Sequence, residues 1–255
     1  MHTLETIMKK KLSIALVLAL VCSGTKAEQI CQTNEGLLGA HYRLVNSQVN
    51  TAQNEPLKRD KAIKLSSLWR KNQKVLSVSG EQSTTWFKLS NGSVKKTANF
   101  DHFKRSIEYQ AKPMSDDRWQ QIRQLISNSN KKSLKLLGSQ LKGCYQQESY
   151  QWENDKLDLQ GKLLWNADLK LITELTIKQG GRQSHLQLEK IEQDEKVIEA
   201  AFAQRSEYQA TDFADIGDNE SDPFLIKMIN LGFIEHGSSG IYNTQGENVA
   251  NEHNH

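Results

Sequence analysis

The chain has 255 residues, 37% of them hydrophobic and 25% charged, with a formal net charge of +3 at pH 7. Residues 1–27 hold that excess, Lys9, Lys10, Lys11 and Lys26 against Glu5 alone, so residues 28–255 are formally neutral. A neutral, polar body gives no argument for nucleic acid or an anionic membrane as partner, and no nucleic acid is expected. The five tryptophans are too scattered for a base-stacking platform or a sugar-binding strip.

Lys9 to Lys11 precede an apolar run from Leu12 to Val21, the layout of a secretory signal peptide. The run is about half of the ~20 residues that cross a bilayer as a helix, so no transmembrane anchor is expected in the mature chain. Thr25-Lys26-Ala27 places small residues where a signal peptidase needs them. The expectation is a signal peptide over 1–27, cleavage near Ala27 and a periplasmic or secreted product starting at Glu28. Lipidation at Cys22 is the competing route, and Val21 before it is larger than the small residue such sites carry. The leader Met1–Ile7 adds only Glu5 ahead of the lysines, which leaves Met8 as an alternative start.

Cleavage removes Cys22 and leaves Cys31 and Cys144. In an oxidising compartment the two most simply form one disulfide. It would close a loop of roughly a hundred residues, worth about 4–5 kcal/mol in the chain-entropy account. The redox or metal alternative lacks a Cys-x-x-Cys spacing.

In chain order, a basic amphipathic helix is expected from Pro56 to Lys74. Ala62, Ile63, Leu65, Leu68 and Trp69 share its apolar face, and seven lysines and arginines surround it. A hairpin follows from Thr84 to Lys96, turned by Asn91-Gly92, with both turn residues expected at positive φ. Phe100 to Tyr109 reads as its continuation. Ser115, Asp116 and Asp117 open a helix carrying Trp119, Ile122 and Ile126. A further helix is expected from Lys132 to Leu141, ended by Gly143. Then come four antiparallel strands over 145–191. Leu169, Leu171, Thr173, Leu175 and Ile177 alternate with mostly polar neighbours, and Gly180-Gly181 makes one tight turn. Asp222, Pro223 and Gly232 frame a last helix.

Several groups are candidates for chemistry. Asp212, Asp215, Asp218, Glu220 and Asp222 crowd eleven residues and are candidate calcium ligands, since calcium takes several oxygens. Their spacing is not that of an EF-hand, and an acidic loop before a helix is the simpler reading. Phe224, Leu225, Met228, Ile229 and Phe233 form the candidate surface for a ligand or partner. His236-Gly237-Ser238-Ser239-Gly240 lacks the spacing and the strand–helix setting of a nucleophile elbow. Asp101-His102 with Glu108 is a conceivable acid–base pair, and His253 and His255 could bind a transition metal weakly. No catalytic residue is assigned, and apart from the calcium candidate no cofactor is expected.

These elements define an α+β fold: a curved antiparallel sheet, from the meander 145–191 and the hairpin 84–109, with helices packed on one side. Residues 28–242 are expected to form one domain, with a conceivable subdomain junction near 143, followed by a flexible polar tail over 243–255. The plan is similar to the half-barrels of periplasmic lipoprotein carriers of the LolA and LolB type, an architectural likeness with no shared motif. The functional expectation is a non-catalytic binding protein for an apolar ligand or an envelope protein. The alternatives are a metal-assisted hydrolase using 212–222, or a calcium-stabilised structural module.

Overall fold

Strands dominate the computed structural model, which describes residues 34–50, 55–56, 62–217 and 221–232. Among them are β1 (Leu37–Asn50), β2 (Glu55–Pro56), β3 (Ala62–Lys71), β4 (Lys74–Ser79), β5 (Gln82–Lys88), β6 (Ser93–Phe100), β7 (Arg105–Glu108) and β8 (Lys112–Pro113). Two helices follow, α1 (Asp116–Gln124) and α2 (Asn128–Lys132). Next come β9 (Lys135–Lys142), β10 (Tyr145–Asn154), β11 (Leu159–Asn166), β12 (Leu171–Gln179) and β13 (Arg182–Glu192). The described chain ends with α3 (Glu195–Ser206), β14 (Gln209–Asp212) and α4 (Pro223–Asn230).

All the strands join one sheet, in the order β14-β7-β6-β5-β4-β3-β1-β13-β12-β11-β10-β9, with β2 on β1 and β8 on β6. Every pairing is antiparallel except β14 with β7. The long strand β1 joins two meanders. It pairs with β3 on one side and with β13, far along the chain, on the other. The expected meander stands as β10 to β13, and Gly180 and Gly181 both take positive φ. The expected hairpin stands as β5 and β6. Its loop spans residues 89–92, and there only Gly92 has positive φ. The segment after it is interrupted, because residues 101–104 turn the chain before β7.

Two expected helices are strands. Over 62–71 the adjacent residues Leu68 and Trp69 are both buried, which a helix achieves on one face and a strand on two. Leu68 faces the main core, while Trp69 packs with Leu76 and Ile198 on the opposite face. The other is β9, where Leu137 and Leu141, with Leu134 just before the strand, mimic a helical stripe. Gly138 lies beside a bulge in the β9–β10 ladder, and Gly143 turns the chain between the two strands at φ 61°.

The helices do not lie on one side. Cross-strand register places Leu38, Ala40, Leu68, Val75, Trp86 and Val94 on one face, where Trp119 and Ile122 of α1 join them. Phe100 and Ile107 lie further along that face under α4. The opposite face offers Leu37, Trp69, Leu76 and Val78, which Ile198, Ala201 and Phe202 of α3 cover. Strands β3 and β4 therefore carry apolar side chains both ways, and a sheet buried on both faces needs cover on both. Polar caps start these helices: Ser115 accepts from the Arg118 amide, and Asp194 accepts from the Lys196 amide.

Gly39 pairs with Trp69 across β1 and β3, and a Cβ at Gly39 would run into the indole. Gly39→Ala should therefore destabilise the fold by about 1–3 kcal/mol. Gly138→Ala, whose Cβ would meet nothing within 4 Å, should stay within about 0.5 kcal/mol. Thermal unfolding of the two variants checks both.

Candidate functional site

The face that carries α1 is a trough. One end is shut by a set of long-range ties. Arg70 Nη2 donates to the Leu169 carbonyl at 2.7 Å, in the connection between β11 and β12. Lys170 Nζ meets Glu35 at 2.7 Å, the Asn72 amide donates to the Gly36 carbonyl, and Arg123 Nη1 donates to the Asn72 carbonyl at 2.6 Å. Turns from both meanders and a residue of α1 are thus pinned together.

Away from that end the sheet runs beyond its helices. Tyr150, Leu163, Leu175, Leu186 and Leu44 lie opposite one another across β10, β11, β12, β13 and β1, which sets one apolar row. Leu163 is fully buried, while Leu175, Leu186 and Leu44 are only half-buried. The next row outward holds Trp152, Gly161, Ile177 and Ser184. Gly161 has no Cβ, and the Trp152 indole lies in the space it leaves.

At the β10 side of the trough stands a polar group. The Lys131 ammonium of α2 lies 4.7 Å from the Trp165 ring centre and 5.7 Å from that of Tyr150, within cation–π range. It also approaches Glu148 Oε2 at 3.4 Å, and the Tyr150 hydroxyl donates to the same oxygen at 2.6 Å. Burial and then that carboxylate push the Tyr150 phenol up to about 12, so it stays a donor at neutral pH. Beside them Asn128, Lys131, Lys132, Leu134, Leu136 and Tyr150 line a cavity of about 480 Å³.

The residues singled out in the sequence are placed as follows. Phe224, Leu225 and Met228 of α4 are buried against Phe100, Ile107 and Ile216, and Ile229 is half-buried beside them. A cavity of about 450 Å³ adjoins them, lined in part by Phe103, Lys227 and Leu231. Asp222 caps α4, accepting from the Phe224 amide at 2.8 Å, and pairs with Arg105 at 2.7 Å. Asp212 caps the short turn that follows it, accepting from the Ala214 amide. Asp215 is exposed. Among the described residues, no group of three or more His, Cys, Asp or Glu side chains comes together to hold a metal ion. Asp101 binds Arg205 at 2.6 Å and Glu108 binds Lys95 at 2.8 Å, while His102 packs edge-on against Phe103. That conceivable acid–base set is therefore dispersed. Cys144 is disulfide-bonded. Residues 1–27 with Cys22, then Cys31, Asp218, Glu220, Phe233, the segment 236–240 and the tail 243–255 lie outside the described residues. Among the described residues no helix is long and apolar enough to cross a membrane.

Sequence reading missed the trough's far wall. The signal was available in β1, where Leu38, Ala40, Tyr42 and Leu44 alternate with Gly39, His41 and Arg43.

The site is thus a part-filled apolar trough on an open, curved sheet, with a lysine, a tyrosine and a glutamate at one margin. No family model matches the chain, and no curated protein matches it significantly. Among solved structures it is similar to MucB, with TM-score 0.32 and 11% identity, over 64% of this chain and 55% of MucB. It is similar too to a DUF1329 family protein from Desulfovibrio piger, with TM-score 0.29 and 6% identity, over 62% of this chain and 86% of that one. A third is the Mycobacterium tuberculosis lipoprotein LppX, with TM-score 0.26 and 11% identity, over 63% and 89%. The chain spans about half the length of MucB. At such scores the functional reading has to stand on the chain's own geometry.

The Arg105–Asp222 pair fixes the start of α4 and holds the Asp222 carboxyl below its ordinary range. A carboxylate stabilised in the folded state contributes above the ordinary carboxylate pKa, and the contribution fades as pH falls through the lowered folded value. Asp222→Asn keeps a capping side chain and removes the charge. It should cost about 1 kcal/mol at neutral pH, with the difference shrinking toward zero at strongly acidic pH. Urea unfolding of both proteins at the two pH values tests this, and an unchanged difference would show the ion pair to be idle.

Proposed function

We propose that the chain is a non-catalytic binding protein of the periplasm, or a secreted one, that holds an apolar ligand in the trough. The signal-like segment Lys9 to Ala27 supports export. The observation that carries the binding role is the row Leu44, Leu186, Leu175, Leu163 and Tyr150. It is continuous across five strands, buried toward β11 and left half-open over β12, β13 and β1. A sheet that needed this face only for its core would bury the whole row. A sheet that needed it only for water contact would break the row with charge.

The Lys131, Tyr150 and Glu148 group gives the margin of the trough donors and one acceptor. Apolar sites use a few such groups to orient an amphipathic ligand. The ligand class that fits is a chain-like apolar molecule lying along the row, with any polar end near α2.

A neutral apolar reporter such as N-phenyl-1-naphthylamine should bind the exported protein saturably, with enhanced fluorescence. Leu186→Glu puts a charge in mid-row at a half-exposed position. It should weaken binding by at least about tenfold, or about 1.4 kcal/mol, with an unchanged circular dichroism spectrum. No saturable enhancement, or equal binding by the folded variant, would mean that the face is filled by its own side chains.

A further inference from the structure

The sheet ends at β9, and that edge is open. In the strand order β9 is the terminal member, and among the described residues it is bonded to β10 alone. All eight residues from Lys135 to Lys142 are exposed. Leu136, Leu137 and Leu141 are 53%, 52% and 72% exposed. A long edge strand showing its backbone and three leucines is a template for pairing with another strand. The apolar content is the unusual part, since edges that only need protection carry charge and little else.

Register sorts the side chains. Leu136 lies opposite Tyr150 and Leu141 opposite Gln146, on the trough side, while Lys135 and Lys142 lie on the other. The cavity of about 480 Å³ opens beside Leu136 and Tyr150, under Lys131 and Lys132. Strand addition uses main-chain hydrogen bonds for affinity and pockets for alternate side chains for specificity. Here the edge and a side pocket lie next to each other.

Charge decides the occupant. Lys132, Lys135 and Lys142 are exposed and have no ion-pair partner among the described residues. Glu148, an acidic group in contact with two of the residues that line the cavity, is already taken by Lys131 and the Tyr150 hydroxyl. A second copy of β9, aligned antiparallel in full register, would set Lys135 against Lys142 at both ends, and like charges directly opposite one another are destabilising. An acidic strand meets the same lysines with attraction. We propose that β9 is a docking edge for an extended segment of a partner protein, acidic at its ends and apolar between, which adds one strand to the sheet and seats an apolar side chain in the cavity beside Tyr150. This surface adjoins the trough row at Tyr150 but does not depend on the trough's having a ligand.

The probe is a blocked, strand-length peptide alternating valine, leucine and threonine with glutamate at both ends. Two controls accompany it: the same peptide ending in lysine, and the glutamate peptide N-methylated on alternate amides. Fluorescence anisotropy with the exported protein should show binding of the first. The lysine-ended and N-methylated peptides should bind at least about tenfold more weakly, since charge and backbone pairing both contribute. Added salt should weaken the binding. The double variant Lys135→Glu, Lys142→Glu changes only exposed side chains and should reverse the preference toward the lysine-ended peptide. Absence of binding to the glutamate peptide, indifference to N-methylation, or no reversal in the folded double variant would each overturn the proposal. Dimerisation that Leu141→Lys abolishes would overturn it in favour of a second copy. Leu186→Glu separates the two readings: it should leave peptide binding intact while it weakens the apolar reporter, and loss of peptide binding in that variant would place the peptide in the trough instead.

Discussion

Arg70 is the constraint on which the architecture turns. Its guanidinium is fully buried and donates one hydrogen bond, to the Leu169 carbonyl. Its Nε and Nη1 have no partner among the described residues, and burial pulls its pKa down to about 10, so it remains charged at neutral pH. Burying a charge with so little compensation is costly. The geometry that makes it tolerable is curvature. The side chain starts on β3 and ends in the connection between β11 and β12, with β1 and β13 lying between in the sheet. A flat sheet would hold those two points too far apart. Because the bond is made, the sheet curls, and one end of the trough is shut by groups from both meanders. The Tyr42 hydroxyl, also buried and without a partner among the described residues, lies on the same face, and burial pushes its pKa up.

From that pin the rest of the site follows. The row from Leu44 to Tyr150 lies toward the open end because Arg70, Leu169 and α1 occupy the other. Strands β3 and β4 need a second cover, α3, because the same residues that line the trough alternate with Trp69 and Leu76. The α3 helix is tied down by Arg205, which reaches Asp101 and Ser83, so the outer face is closed where the inner face is most crowded.

The sequence was most readable where contacts are local. Strands β10 to β13 follow one another through short turns, and their alternation and the Gly180-Gly181 pair announce them. The hairpin at Asn91-Gly92, the cap at Ser115 and the frame of Asp222, Pro223 and Gly232 are local in the same way. Strand β3 was misread because its consecutive buried residues belong to two cores, which no single periodicity records. Strand β9 was misread because its leucines keep a helical spacing while the chain is held extended by β10. Helix α3 carries Val197, Ile198, Ala201 and Phe202 at helical spacing and was legible in principle. Of the trough, the inward residues of β12 were visible as alternation; β1 alternates in the same way, but its pairing with β13, far along the chain, leaves no local signal. The candidate surface on α4 was identified by its apolar residues, yet nothing in the sequence shows that Phe100 and Ile107 bury three of them.

The pairing of β1 with β13 has a consequence for how the protein is made. Arg43 and Gln187 bond across those two strands, although 144 residues separate them. Pairings of such long range form slowly, because the chain between them must first be brought together. Synthesis runs from the amino end and delivers β1 early, and one flank of that strand waits for most of the molecule to arrive. During that interval the strand destined for the middle of the sheet is itself an edge. The span of synthesis in which the protein is most open to mispairing is therefore set by the distance from Arg43 to Gln187, and it ends only when β13 has emerged.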